Sequence, residues 1–384
     1  MGRFIRISTR RNLFYLSQVV LYYYSRKVVL IIINNLYKFN DSLIFTFLML
    51  LGEFFAGIAI YLYQICFLET KNDIKIKYFE ISLIIRTNKL KRPDNKKKIT
   101  LLIFFTACFD FTEFIIENYY LPKFSGLSKT IVLRFGGIII IFSSLLCYFN
   151  LKMDILKHQL CSLISIGLCS IIIIILEIIF SDGGRTIGEF FKIYFLVLNN
   201  LIFVAFTDVV EKYLLEYDYM NPFIILIIES SFGLILTSFY SINHDPLKDL
   251  KRLYGECDTG KFILLIFLLF LYLAFSAGAN VYKLLSNVLY SPMAKSLAGY
   301  ILNPFVFIYY FLNENDFSSD GEKNYLYFFI NLIISIIISF FGCVYNEFLV
   351  LSFCGLDYET YSTVTIRALT SDKTFEISDN GSDY

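Results

Sequence analysis

The chain has 384 residues, of which 57% are hydrophobic and 17% are charged, and its mean hydropathy is +0.63. Soluble domains carry roughly a quarter charged residues, so this composition excludes an ordinary soluble enzyme and a disordered protein and indicates a polytopic membrane protein. The net charge of +1 does not favour nucleic acid as a partner, and the eight cysteines contain no CxxC pair that would predict a metal or disulfide framework.

Nine segments predict membrane-spanning helices, because each has the roughly 20 mostly apolar residues that a bilayer crossing needs. In chain order they are 43–67, 99–119, 129–149, 158–180, 190–211, 221–241, 262–283, 288–312 and 325–347. The preceding segment 13–37 is apolar at both ends but carries Arg26 and Lys27 in its middle. Central charges disfavour insertion, so this segment is either a tenth spanning helix or a helix lying in the membrane interface. The predicted fold is an all-α polytopic membrane protein with nine or ten transmembrane helices.

Basic residues in the loops predict the orientation of the chain. Loop 68–98 carries ten Lys and Arg residues against four acids, which places it in the cytosol. Counting the predicted spans forward from this loop places the C-terminal tail in the cytosol as well. With ten helices the basic N-terminus is also expected to be cytosolic. The chain then divides into an N-terminus with a degenerate first helix (1–42), two transmembrane regions (43–189 and 190–350) and a polar tail (351–384).

Two helices carry polar residues at helical spacing inside apolar sequence. Asp110, Glu113 and Glu117 are spaced i, i+3 and i+7, so they share one helix face. Asn280 and Lys283 begin the same spacing on a later helix. Charged groups inside a membrane are costly and are usually functional or paired, so these stripes predict a polar central cavity.

Other ionisable residues fall either deep inside a span or near its end. Asp208, Glu211 and Lys212 lie near a helix end, where snorkelling to the interface is expected. Glu177 is also near a helix end and is within reach of the interface. The candidate substrate-binding residues are Glu53, Asp110, Glu113, Arg134, Glu229, Asn280, Lys283 and Lys295.

Short stretches in the two halves of the chain resemble each other. LGEFFAG around Glu53 resembles IESSFGL around Glu229. LRFGGIIIIF around Arg134 resembles AKSLAGYIL around Lys295. In the predicted topology the members of each pair enter the membrane from opposite sides. The sequence therefore predicts two inverted repeats of about five helices, an architecture common among secondary transporters.

Several motifs together carry a resemblance to a known family. They are MLLGEF (49–54), ACFDFTEF (107–114), VLRFGGIIIIF (132–142), VVEKYLLEYDYMNP (209–222), ESSFG (229–233) and VYNEF (344–348). In their order and spacing the chain resembles the drug/metabolite transporter superfamily, and within it the F-type, nucleotide-sugar-transporter-like members of solute carrier family 35. The resemblance implies ten helices in two inverted five-helix repeats, cytosolic termini, a central cavity and an endomembrane location such as the Golgi or the lysosome.

The predicted function is secondary transport of a small polar, anionic metabolite, of the nucleotide-sugar or phosphorylated-solute class, by alternating access. Arg134 and Lys295 are expected to face each other across the cavity and neutralise the anion, while Glu53 and Glu229 accept hydrogen bonds or carry coupled protons. The alternatives are a non-transporting scaffold or receptor and, less favoured, an integral-membrane enzyme; His158 and His244 offer no catalytic pattern. The expected partners are the solute and membrane lipid, with a homodimer left open; no cofactor, metal or nucleic acid is expected.

Overall fold

Apolar helices make up most of the computed structural model, which describes residues 5–7, 14–39, 41–68, 96–121, 130–180, 187–216, 218, 220–242, 248–256, 258–313, 318–319, 322–351, 356 and 360. The helices are α1 (Phe14–Tyr37), α2 (Ser42–Tyr63), α3 (Lys96–Ile115), α4 (Ile131–Arg134), α5 (Gly137–Leu151), α6 (Lys157–Phe180), α7 (Ile187–Glu216), α8 (Pro222–Ser241), α9 (Lys248–Glu256), α10 (Thr259–Leu289), α11 (Pro292–Tyr300), α12 (Asn303–Asn313) and α13 (Tyr325–Tyr345). The π-helical turns Gln64–Leu68 and Ile116–Tyr120 extend α2 and α3. The strands are β1 (Ile5–Ile7), β2 (Ser318–Ser319), β3 (Glu322–Lys323) and β4 (Leu349–Leu351).

Seven helices of the described chain are long and apolar enough to cross a membrane. They are Phe14–Tyr37, Ser42–Cys66, Lys157–Phe180, Gly188–Glu216, Pro222–Ser241, Thr259–Leu289 and Tyr325–Tyr345. Large apolar side chains such as Ile164, Leu168 and Ile175 on α6 are exposed, which suits a surface that faces lipid. The all-α, multi-pass membrane prediction is confirmed.

The N-terminal segment is one uninterrupted helix, α1, despite Arg26 and Lys27 at its centre. It packs along α10 and α11, and Val19 and Ile33 on it are fully buried. The long apolar α1 is therefore part of the helix bundle, which favours the first of the two alternatives left open by the sequence, a spanning helix.

Local capping residues explain where several helices begin. Asp41 accepts hydrogen bonds from the backbone amides of Leu43 and Ile44, at 2.9 and 3.2 Å, at the start of α2. Ser291 caps α11, and Pro292 occupies its first turn, where the missing amide costs nothing. The predicted span 288–312 is therefore wrong at its start, because its first residues belong to the end of α10.

Two of the predicted spans are broken inside the bundle. The first is interrupted at residues 135–136, between α4 and α5, and the second at 301–302, between α11 and α12. The breaks contact each other, because the Asn303 side chain donates a hydrogen bond to the Leu133 carbonyl at 3.0 Å. The Tyr24 hydroxyl of α1 accepts a hydrogen bond from the Leu302 amide at 3.2 Å. Side chains thus form hydrogen bonds with backbone groups next to the breaks. Non-helical backbone inside a membrane needs such partners, because no water is present there.

Helix packing follows a paired pattern. α1 packs on α10 and α11, while α7 packs on α3 and α5. α2 packs on α10, while α8 packs on α3. α2 and α8 pack on each other, as do α5 and α11, and α6 and α13. Polar faces of α1, α2, α3, α7, α8, α10 and α11 meet in the middle of this bundle.

The described strands that flank the first and last helices lie on the same face of the bundle. Strand β1, which precedes α1, pairs antiparallel with β4, which follows α13, with Ile5 opposite Leu351. Several predicted features lie outside the described residues. They are most of the basic loop 68–98, His244, and all of the tail 351–384 except residues 351, 356 and 360.

Candidate functional site

A cavity of about 350 Å³ lies in the centre of the bundle. Its volume is in the range of pockets that bind small molecules. Seven of the eight predicted site residues line it: Glu53, Asp110, Glu113, Glu229, Asn280, Lys283 and Lys295. An adjoining cavity of about 140 Å³ shares Glu113, Asp208, Lys283 and Lys295 with the first. The structure thus brings residues from distant parts of the sequence to one polar chamber.

The polar stripe on α3 faces this chamber as its spacing predicts. Asp110, Glu113 and Glu117 all line the cavity. Glu117 accepts a hydrogen bond at 3.1 Å from the side-chain amide of Asn200 on α7. On α10, Asn280 and Lys283 line the cavity with the same spacing.

Glu53 and Glu229 occupy corresponding places on the packed pair α2 and α8. Both are 7% exposed and line the cavity. Four residues after each of them stands a glycine at which the partner helix approaches closely. A Cβ on Gly57 would lie 2.9 Å from Ile227, and one on Gly233 would lie 2.8 Å from a methyl group of Leu50. The crossing of α2 and α8 therefore fixes both carboxyl groups beside the chamber.

Lys295 is held by two acids of α7. Its Nζ lies 2.6 Å from Asp208 Oδ1 and 2.7 Å from Glu211 Oε2. Asp208 and Glu211 are 3% and 6% exposed, so the expectation that they snorkel to the interface is wrong. Lys295 already has two carboxylate partners, so it neutralises charge inside the protein rather than presenting an unpaired cation to the cavity.

Lys212, on the same helix, ties α7 to the end of α10. It is 2% exposed, so it does not snorkel either. Its Nζ donates to the carbonyl oxygens of Asn287 and Val288, at 2.9 and 3.2 Å, and lies 2.7 Å from Glu216. The last carbonyls of a helix have no partner within the helix, so a lysine placed there satisfies them. These contacts hold α7 and α10 together close to the ion-paired Lys295.

Arg134 packs apart from the two cavities. Its guanidinium group pairs with Glu177 of α6 and donates to the hydroxyl of Tyr327 on α13, and its Nε lies 3.1 Å from the hydroxyl of Thr130. Glu177 is 5% exposed, so it is buried in this pair and does not reach the interface. The expectation that Arg134 and Lys295 face each other across one cavity is wrong, because each is neutralised by its own carboxylates.

The sequence reasoning missed Arg26, which lines the cavity from α1. Its guanidinium group lies 5.2 Å from the centre of the Tyr23 ring, and Lys283 Nζ lies 5.2 Å from the same ring. Lys27 Nζ is 4.6 Å from it. Cation–π contacts of this kind stabilise cations without neutralising them. Within the described chain, neither Arg26 nor Lys283 forms an ion pair.

The remaining chemistry-bearing side chains lie elsewhere. His158 at the start of α6 is buried, with its Nε2 at 3.4 Å from Glu347 Oε1. Across the residues that the structure describes, no three His, Cys, Asp or Glu side chains are grouped so that they could hold a metal ion. No protein-family model matches the chain, and no curated protein matches it either.

Proposed function

We propose that the chain is a secondary transporter that moves a small polar, anionic metabolite by alternating access. The observation that carries this proposal is the central cavity, in which Arg26 and Lys283 stand on neighbouring helices without an ion-pair partner in the described chain. Both side chains are partly buried. Leaving a partly buried cation without a counter-charge is costly, so we expect an anionic group to bind between them. A phosphate or carboxylate suits the guanidinium geometry of Arg26.

The proposed architecture is ten spanning segments in two inverted repeats of five. It is supported by the helix packing, because the main pairs keep their pattern when each helix of the first half is exchanged for its counterpart in the second. In that scheme α1 corresponds to α7, α2 to α8, α3 to α10, α4–α5 to α11–α12, and α6 to α13. The two broken segments are counterparts, and Arg134 and Lys295 are each the fourth residue of one of them. Discontinuous helices at the repeat interface recur in secondary transporters.

Membership of the drug/metabolite transporter superfamily, close to the F-type members of solute carrier family 35, remains part of the proposal. A nucleotide sugar or another phosphorylated solute is the substrate class that goes with it. The proposal also includes cytosolic termini and an endomembrane location. The pairing of β1 with β4 on one face supports the common side of the termini. Epitope tags at the two ends, stained after selective permeabilisation of the plasma membrane, test both the side and the organelle.

The decisive experiment is counterflow in proteoliposomes. Full-length protein is reconstituted in liposomes loaded with one unlabelled solute, and uptake of the same labelled solute is followed for nucleotide sugars, nucleotides, phosphosugars and organic anions. At least one anion should exchange. If neither these anions nor the amine-bearing anions of the next section exchange, the transporter proposal fails and a scaffold or receptor role takes its place.

Lys283→Gln tests the site within that assay. The loss of a hydrogen bond to a charged group, worth about 1.5–3 kcal/mol, should weaken the apparent affinity for the anion about tenfold or more. Lys192→Gln, an exposed lysine of α7 outside the cavity, is the matched control. Equal affinities of the two variants would contradict the assignment of the anion to Lys283.

A further inference from the structure

The central cavity holds far more acidic than basic groups. Seven carboxyl groups and three cations line it. Lys295 is already engaged by Asp208 and Glu211, at 2.6 and 2.7 Å. The other two cations of the lining, Arg26 and Lys283, are then the only ones left to balance five carboxyl groups. These are the carboxyl groups of Glu53, Asp110, Glu113, Glu117 and Glu229. An anionic solute bound to both cations leaves these five acids without a cation of their own.

One of these acids has an oxygen with no partner. Glu53 and Glu117 each accept a hydrogen bond from an asparagine side chain. The Glu229 residue is 7% exposed, and its Oε1 accepts no hydrogen bond from any described residue. A buried acceptor without a hydrogen bond costs free energy, and a buried carboxylate without a nearby cation costs more. A bound solute with a hydrogen-bond donor would therefore satisfy Glu229 Oε1.

Two of the acids, Glu229 and Asp110, lie on a different wall of the cavity from the unpaired cations. Arg26 and Lys283 belong to α1 and α10, which pack together around Tyr23. Glu229 belongs to α8 and Asp110 to α3, and these two helices also pack together. A solute in the cavity thus meets positive charge on one wall and negative charge on another.

We infer that the transported solute is zwitterionic, with its anionic group at Arg26 and Lys283 and an ammonium group at Glu229 and Asp110. This inference rests on the proposed function and narrows its substrate class to aminocarboxylates or amine-bearing phosphate esters. The ammonium group supplies the positive charge and the hydrogen-bond donor that Glu229 Oε1 lacks. A simple anion supplies neither.

Matched solutes test the inference in the same full-length protein in liposomes. Counterflow of γ-aminobutyrate is compared with that of succinate and putrescine, and phosphoethanolamine is compared with ethyl phosphate. The amine-bearing anions should exchange at least tenfold faster than the simple anions and the diamine. Exchange of simple anions at the same rate as their amine-bearing counterparts overturns the inference but leaves the transporter proposal standing. Absence of counterflow for every solute in both panels overturns both.

Glu229→Gln separates an ammonium site from a site that is neutralised by protons. The variant keeps the size of the side chain and removes its charge, so the preference for the amine-bearing solute should fall at least tenfold. Asp110→Asn should act in the same direction, which keeps the test valid if the first variant does not fold. Asp154→Asn, an exposed acid between α5 and α6, should keep the wild-type preference. If both cavity variants keep it too, or if acidification alone makes simple anions exchange equally fast, protons neutralise the carboxyl groups and the inference is wrong.

Discussion

Arg134→Met tests whether the buried pair of Arg134 and Glu177 is a structural element rather than part of the substrate site. The side chains of the two residues are 1% and 6% exposed, so solvent does not screen them. Removing the arginine leaves the Glu177 carboxylate buried without a cation, with uncharged hydroxyl partners such as that of Tyr327 on α13. Breaking one partner of a buried ion pair typically costs about 3–5 kcal/mol. The variant should therefore be destabilised by that amount.

The assay is thermal denaturation of purified protein in detergent, followed as the fraction that stays monodisperse after heating. The double variant Arg134→Met/Glu177→Leu should recover most of the loss, because replacing both members of a buried pair by apolar groups is often neutral or better. Lys192→Met, an exposed position, should leave the melting temperature unchanged. An Arg134→Met protein as stable as wild type, or a double variant no more stable than the single one, would refute the structural role.

Two further substitutions probe the walls of the cavity. Gly52→Val should destabilise the protein by about 1–3 kcal/mol, because a Cβ there would lie 2.8 Å from the carbonyl oxygen of Leu273 on α10 and must push two helices apart. Gly188→Ala, where a Cβ meets nothing within 4 Å, is its control in the same melting assay. Lys295→Ala should cost about 3–5 kcal/mol by stranding Asp208 and the other acid paired with this lysine, whereas Lys295→Arg should keep most of the stability. A stable Lys295→Ala protein that has lost only transport would instead make the lysine a direct substrate contact.

Hydropathy alone predicted most of the bounds of the long helices, because a bilayer demands continuous apolar length. It predicted nine or ten spans, whereas seven helices of the described chain are long and apolar enough to cross a membrane. It misplaced the start of the segment 288–312, because the polar residues Ser286 and Asn287 interrupt the apolar sequence inside α10 rather than at its end. The signal that marks the junction between α10 and α11 is local: Ser291 followed by Pro292 is a helix N-terminus. Capping residues therefore locate a boundary that a hydropathy average cannot see.

The charged residues were harder to place because helix length changes their depth. α7 has 30 residues and α10 has 31, well beyond the roughly 20 that cross a bilayer. Asp208 and Glu211 therefore lie inside the packed bundle although they stand near the end of the predicted span 190–211. Their i, i+3 spacing was the signal that they share a face. Which cation each acid meets depends on helix packing, and no pattern within one helix encodes it.

Hydrogen bonds between helices are found at one face of the bundle, whereas the cavity lining extends to the other face. On the face where β1 and β4 pair, Lys212 joins α7 to α10, and the Asn221 side chain donates to Gln64 at 3.1 Å, joining α8 to α2. Toward the opposite face the lining of the cavity continues to Ser42, the first residue of α2. Polar contacts between helices therefore lie toward β1 and β4, whereas on the other side the cavity lining extends to the start of α2. The alternating access proposed above would require the Lys212 contacts to separate. Because these contacts are hydrogen bonds to helix-end carbonyls rather than apolar packing, water entering from that face can replace them as the helices part.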